Sequence, residues 1–318
     1  MMSFKLWRST AVLAITLLVA GCSSNTSTEN SSAENSGANT SKTTEVSVTQ
    51  AADEVKDEVK EDYRIVSTTV ATTQFFDLLD LDLVGIPTSV KELPKRYDGI
   101  TKIGNPMTPN MEVVKSLDPT EVFSVTTLEY DLAPVFKNAA IKSTFLDFTS
   151  LAKMNAAILD IGKRYNREEK AQTIVDGYNA KVEEIKQKVA GKPQPTVLIL
   201  LGVPGSYLVA TENSYIGDLV RLVGGKNIVQ GEDVEYLASN TEYLQQSNPD
   251  VILRAAHGMP EEVVKMFDQE FQENDIWKHF NAVQQGRVYD LPEELFPTTA
   301  NMAVAEALDA MVDMLYAD

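Results

Sequence analysis

Cysteine is the scarcest reactive residue in this chain: 318 residues contain one, Cys22. A single sulfur cannot form an internal disulfide, a thiolate zinc site or an iron–sulfur cluster, because each needs several. Histidine is nearly as rare, with only His257 and His279, which argues against a zinc or manganese centre built from several imidazoles. Positive charge is short as well, since 28 Lys and Arg stand against 46 Asp and Glu for a net charge of −18. A protein that tracks phosphates needs concentrated basic charge to release counterions, so no nucleic-acid partner is expected. Also missing are a GxSxG elbow, an HExxH pair and a reactive cysteine, so the chain is not expected to be an extracytoplasmic enzyme. What remains, 43% hydrophobic and 23% charged, is ordinary globular material for one large domain or two lobes.

The N-terminus accounts for the lone cysteine. Lys5 and Arg8 precede AVLAITLLV (11–19), an apolar run too short to cross a bilayer core of about 30 Å as a helix. Residues 1–21 read as an export signal. The run ends in Val19-Ala20-Gly21-Cys22, which resembles the bacterial lipoprotein cleavage box and implies a lipidated Cys22 at the mature N-terminus. An uncleaved anchor with a buried cysteine is the alternative. Two acyl chains, at about 0.8 kcal/mol per buried CH₂, hold a protein on a membrane where one does not. Residues 22–62 then run through Ser, Thr, Asn and Glu and cannot bury enough apolar surface to offset ordering entropy. They read as a tether with a root-mean-square reach of roughly 35 Å.

The folded part is expected from Tyr63 onward, and it contains an internal echo. NMEVVKSLDPTEVF (110–123) and NTEYLQQSNPDVIL (240–253) share Asn, then Glu two residues on and Pro nine residues on, followed by an apolar β-branched stretch. Each copy predicts a short helix, a proline stop and a buried strand of a parallel sheet. Between the copies, Asn166 to Glu169 has the spacing of a capping box. The helix it opens runs to about Ala190, before Gly191 and Pro193. At about 1.5 Å per residue it spans roughly 36 Å, enough to cross from one lobe to another or to lie along one flank. PTVLILLGV (194–203) and SYLVAT (206–211) predict strands, Ser214 to Val223 a helix, and Thr299 to Tyr316 the last helix.

Two α/β lobes joined by one long helix, behind a cleavage box and a polar tether, resemble the substrate-binding lipoproteins of iron-siderophore, cobalamin and haem ABC importers. GNPMTPNMEVVKSL (104–117), GSYLVATENSYIGDLVRLVGGKN (205–227), LRAAHGMPEEV (253–263) and NDIWKHF (274–280) are more specific. They resemble the haem-binding receptors of the iron-regulated surface determinant systems of Gram-positive bacteria. The resemblance covers residues 63–318 and implies a class III-type fold: two Rossmann-like lobes, 63–165 and 193–318, joined by an interlobe helix at 166–192. It further implies haem as transported ligand, a membrane permease as partner, haem-carrying surface proteins upstream, a monomer, and an extracytoplasmic location held by the lipid anchor alone. A ferric-siderophore receptor of the same fold is the alternative.

The resemblance also assigns residues. In that family a methionine on one lobe and a histidine on the other ligate the haem iron, which maps onto Met107 and His257. On its neighbourhood alone Met107, before an expected N-cap at Thr108 and Pro109 at the first helical position, reads as packing material. His257, at the end of an apolar strand, reads as a histidine satisfied by backbone as readily as a ligand. His279, beside Trp277 and Phe280, reads as structural. The turn Thr68, Thr69, Val70 and Ala71, leading from a strand into a helix, offers free amides to a carboxylate. In the resembled receptors this turn and a lysine matching Lys91 face the haem propionates, although Val90 stands where an aromatic is expected. Glu112 and Glu242 sit where first-turn acids stabilise a helix dipole, and the family implies that they dock onto basic residues of the permease.

Overall fold

The computed structural model describes residues 63–239, 244 and 247–317. Cys22, the signal and the tether lie outside these residues, as does Glu242. The first lobe opens with strand β1 (Ile65–Ser67), helix α1 (Val70–Leu78) and strands β2 (Gly85–Ile86) and β3 (Thr101–Lys102). A hairpin follows, β4 (Gly104–Asn105) and β5 (Thr108–Pro109), then helix α2 (Met111–Ser116), β6 (Glu121–Val125), helix α3 (Glu129–Asn138) and β7 (Ser143–Leu146). Five of these strands form a parallel sheet in the order β3-β2-β1-β6-β7. Its central strands β1 and β6 are buried along their whole length, as the apolar runs require of a sheet covered on both faces. Because successive connections diverge between β1 and β6, a crevice opens at the carboxyl ends of those strands.

Helices α4 (Leu151–Arg164) and α5 (Glu168–Val189) lead to the second lobe. There β8 (Thr196–Val203) and β9 (Ser206–Ala210) form a hairpin, followed by helix α6 (Tyr215–Leu222) and strands β10 (Lys226–Asn227), β11 (Tyr236–Ala238) and β12 (Val251–Ala256). A helix at Pro260–Glu273, strand β13 (Val288–Leu291) and a helix at Val304–Leu315 complete it. The sheet runs β11-β9-β8-β12-β13, with β10 beside β8. Strands β8, β12 and β13 are mutually parallel, whereas β9 and β11 are antiparallel to their neighbours. The sequence echo has a backbone counterpart. Asp118 and Asn248, each just before the repeated proline, both take positive φ, 46° and 37°, and each leads into the strand beside its lobe's first, β6 beside β1 and β12 beside β8.

Three local expectations are corrected. Asn166 does not cap α5: it takes φ +55° in the turn that ends α4, where Arg167 N donates to Gly162 O at 2.6 Å. Asparagine tolerates this left-handed conformation, and α5 starts at Glu168 with no side-chain cap. Thr108 is not an N-cap either. It pairs with Asn105 in the hairpin, and Asn110 caps α2 by accepting from the amides of Glu112 and Val113. The last helix begins at Val304 rather than near Thr299, because Asn301 bonds Glu294 O and the amide of Ala303 outside the helix.

Helix α5 connects the lobes. Near its start Lys170 pairs with Asp80 of the first lobe, while Lys181 and Lys188 pair with Asp309 and Asp313 on the C-terminal helix. Buried side chains continue through this region without a break: Phe76 and Phe123 of the first lobe, Ile158 of α4, Val175 of α5, and Leu219 and Met311 of the second belong to one cluster. Helices α4 and α5 touch at Gly162, where an added Cβ would stand 2.4 Å from the Cβ of Ala171.

At the end of the first sheet remote from the crevice, Glu121 is 3% exposed and accepts from Thr144 Oγ1, Arg164 Nη2 and Lys142 Nζ at 2.5, 2.5 and 2.9 Å. Burial pushes its carboxyl up, but these donors together hold it below its ordinary value of 4.5. The folded state therefore carries fewer protons on this group than the unfolded chain. Its contribution is present above the unfolded pKa and is lost as pH falls through the lower folded one. Glu121→Gln is expected to cost about 1–3 kcal/mol at neutral pH and to flatten the acid limb of stability, measured by urea midpoints between pH 7 and 3. An unchanged acid limb would contradict this role.

Candidate functional site

The loop after β2 and the hairpin after β3 are tied together, since Thr88 N donates to Gly104 O at 2.8 Å. The first carries Lys91, whose amide bonds Ser89 Oγ. The second carries Met107 at its tip, where Asn105 Oδ1 accepts from the Met107 amide at 2.9 Å. That turn leaves the thioether outside the core, with Met107 62% exposed. A methionine serving as core filler would be buried.

His257 is the first residue after β12, and its amide donates to Gly202 O at 2.9 Å. Two residues of positive φ follow, Gly258 and Met259, and reverse the chain into the helix at Pro260. A left-handed non-glycine residue costs about 1–2 kcal/mol, and here it holds the imidazole at the rim with its side chain 52% exposed. His279 by contrast belongs to a short turn whose Trp277 fills a separate cluster, and it takes no part in the site.

Sequence reading missed one member. Glu293 Oε1 lies 2.8 Å from Lys91 Nζ and 3.7 Å from His257 Nδ1. The register of β12 and β13 explains the position: Arg254 is directly opposite Asp290 and clasps it with two bonds of 2.8 and 2.6 Å. Three residues further along each chain stand His257 and Glu293. The Arg–Asp pairing was the available signal, and it needed the register to be read. Through Glu293 the site joins the lobes, because Lys91 belongs to the first and both other groups to the second. Exposed apolar side chains gather at the same places: Val90 beside Lys91, Met107 on the neighbouring hairpin, and Met259 just past His257.

The turn at Thr68–Ala71 lies at the carboxyl end of β1, by the crevice. Thr69 caps α1, accepting from Thr72 N at 3.1 Å while its own amide donates to Thr72 Oγ1 at 3.2 Å. The amides of Val70 and Ala71, the first two of the helix, have no intrahelical acceptor and point with the positive end of the dipole. Thr68 is fully buried and its hydroxyl has no partner among the described residues. Glu112 is exposed on α2, and Asn110 already supplies the helix cap. Glu242 and Cys22 lie outside the described residues.

A cavity of about 910 Å³ occupies the opposite edge of both sheets, lined by Asp147, Thr149 and Lys153 after β7 and by Glu212, Asp233 and Glu235 of the second lobe. Burial, and then the charge of Asp147, push the Glu235 carboxyl up. Its charged walls differ from the apolar rim around His257. Among the described residues no group of three or more His, Cys, Asp and Glu could hold a bare metal ion, and no helix is long and apolar enough to cross a membrane.

Comparison with known proteins shows which family the fold and sequence belong to. The chain is 50% identical over 258 residues to the high-affinity heme uptake system protein IsdE of Staphylococcus aureus strain Newman, covering 81% of this chain and 88% of that protein. The crystal structure of S. aureus IsdE complexed with heme superimposes with a TM-score of 0.77, over 80% of this chain and 99% of that one. An ABC transporter substrate-binding protein from Listeria monocytogenes EGD-e matches at 55% identity with the same TM-score and coverage. These relatives are uptake and substrate-binding proteins, not enzymes. The model of the periplasmic binding protein family matches residues 65–295, from β1 of the first sheet to just past β13 of the second, and the chain therefore belongs to that family.

Proposed function

We propose that this protein is an extracytoplasmic haem receptor of an ABC importer, binding haem between its lobes and delivering it to a membrane permease for iron acquisition. The observation that carries the reading is the junction at which Lys91 and His257 of opposite lobes meet Glu293, with an exposed thioether, Met107, on the hairpin tied to the Lys91 loop. A porphyrin presents an apolar plate, an iron with two open axial positions and two carboxylates. His257 and Met107 suit the axial positions, a pairing that raises the iron's potential. The free amides of Val70 and Ala71, with Thr68, Thr69 and Lys91, suit the propionates. Half-identity with a haem uptake protein supports the same ligand.

In this reading residues 1–21 direct export, Cys22 carries the acyl anchor on the outer face of a Gram-positive-type membrane, and 22–62 tether the lobes 63–165 and 193–318. Haem-carrying surface proteins load the receptor, which acts as a monomer, and Glu112 with Glu242 meets the permease. The absorption spectrum of the purified protein with haem is the test. A shifted, sharpened Soret band with low-spin visible bands is expected, and a free-haem spectrum beside tight binding of a ferric siderophore would overturn the reading.

Because α5 and the shared core join the lobes, little closure is expected on binding. Two packed helices resist hinge motion that two or three extended strands permit. Solution scattering should give the same radius of gyration with and without haem, and a contraction of several ångströms would refute this rigid connection.

A further inference from the structure

Two donors on opposite lobes compete for one buried acceptor. Lys91 Nζ bonds Glu293 Oε1 at 2.8 Å, while His257 Nδ1 stands 3.7 Å from the same oxygen, beyond hydrogen-bond reach. Glu293 is the buried member, its side chain 9% exposed against 47% for Lys91. An ion pair with one partner half in water is weak, so Lys91 leaves readily when another anion is offered. An imidazole that ligates a metal through Nε2 keeps its Nδ1–H and donates it, most often to a carboxylate or carbonyl. The carboxylate nearest to His257 is the one that Lys91 occupies.

Resting on the haem reading above, we propose that Glu293 is a positioning residue exchanged between the lobes. In one arrangement it holds Lys91, the pairing seen in the structure. When a ligand carboxylate takes Lys91, the freed Glu293 oxygen accepts the Nδ1–H of His257. Carboxylate capture on one lobe and iron ligation on the other then become one linked event, and a porphyrin without free carboxylates receives the weaker form of the histidine.

The test uses the purified full-length protein with haem and with haem dimethyl ester, whose carboxylates are capped. For haem, Glu293→Leu should weaken binding by roughly tenfold or more, the range found for partners of metal-bound histidines, and Lys91→Met should also weaken it, through the lost carboxylate contact. For the ester the signs separate. Glu293→Leu should change affinity by less than about twofold, and Lys91→Met should tighten it severalfold, because Glu293 is then free for His257 without any ligand carboxylate. Loss of ester affinity in Lys91→Met, or an equal loss for both ligands in Glu293→Leu, would overturn the exchange while leaving haem binding intact. Absence of a Soret shift in the unaltered protein would instead remove the haem reading, and this proposal with it. Should Glu293→Leu fold poorly, the Lys91→Met arm decides alone, since Lys91 is half exposed.

Discussion

His257→Ala is expected to abolish the six-coordinate low-spin spectrum of bound haem and to speed haem loss by at least about 100-fold. Altering only the partner of a metal-bound histidine costs about 10–100-fold, so removing the ligand lies at or above the top of that range. The imidazole is the stronger donor of the proposed pair and the better fixed: its backbone is hydrogen-bonded to Gly202 at the end of a buried strand. Met107→Ala should have the smaller effect, about tenfold, because a thioether is a weak acceptor and this one sits on a short hairpin at the surface. Its spectrum should move toward a five-coordinate form. If both variants keep the parent's Soret and visible bands, neither residue ligates the iron.

The second large effect concerns delivery. The double variant Glu112→Lys/Glu242→Lys is expected to keep its haem spectrum and affinity while reconstituted uptake falls by an order of magnitude or more. Glu112 is exposed and Asn110 already caps its helix, so the macrodipole explains only about 0.3–1 kcal/mol for an acid at that position. Glu242 is the matching position in the second sequence repeat, and the residues before the repeated prolines, Asp118 and Asn248, both take positive φ. On a basic permease face, charge reversal opposes like charges at contact distance and costs several kcal/mol. The double Gln variant should show a smaller fall in the same direction. Unchanged uptake by the double Lys variant would leave both acids with the capping role alone.

Much of this is legible in the amino-acid sequence itself. The buried runs at 65–67, 121–125, 196–203 and 251–256 are dense in β-branched residues and bounded by turns, so they announced a parallel core. Helices after the first strand and from Ser214 were legible as well, and the structure adds their caps, the hydroxyls of Thr69 and Ser214. The errors occurred where two signals competed for one residue. Asn166 can open a helix or end one, and which it does depends on the backbone of α4. Pro109 suits a first helical turn or an edge strand, and the next residue, Asn110, decided for the strand. The two-residue strands of the hairpin carry no periodicity at all. Glu293 was invisible for another reason: its meaning comes from the lateral pairing of β12 with β13, a relation between segments far apart in sequence.

The unbroken apolar cluster from Phe76 through α4 and α5 to Met311 has a consequence for how this molecule comes apart. Lobes linked only by extended strands can melt separately, leaving a half-ordered chain that still grips or spills its cargo. Here the loss of either half strips buried surface from the other, so the two share one cooperative fate. Heat should be absorbed in a single calorimetric peak, and amides deep in the two sheets should exchange with solvent with a common opening free energy. A receptor of this build retains its cargo or loses it whole.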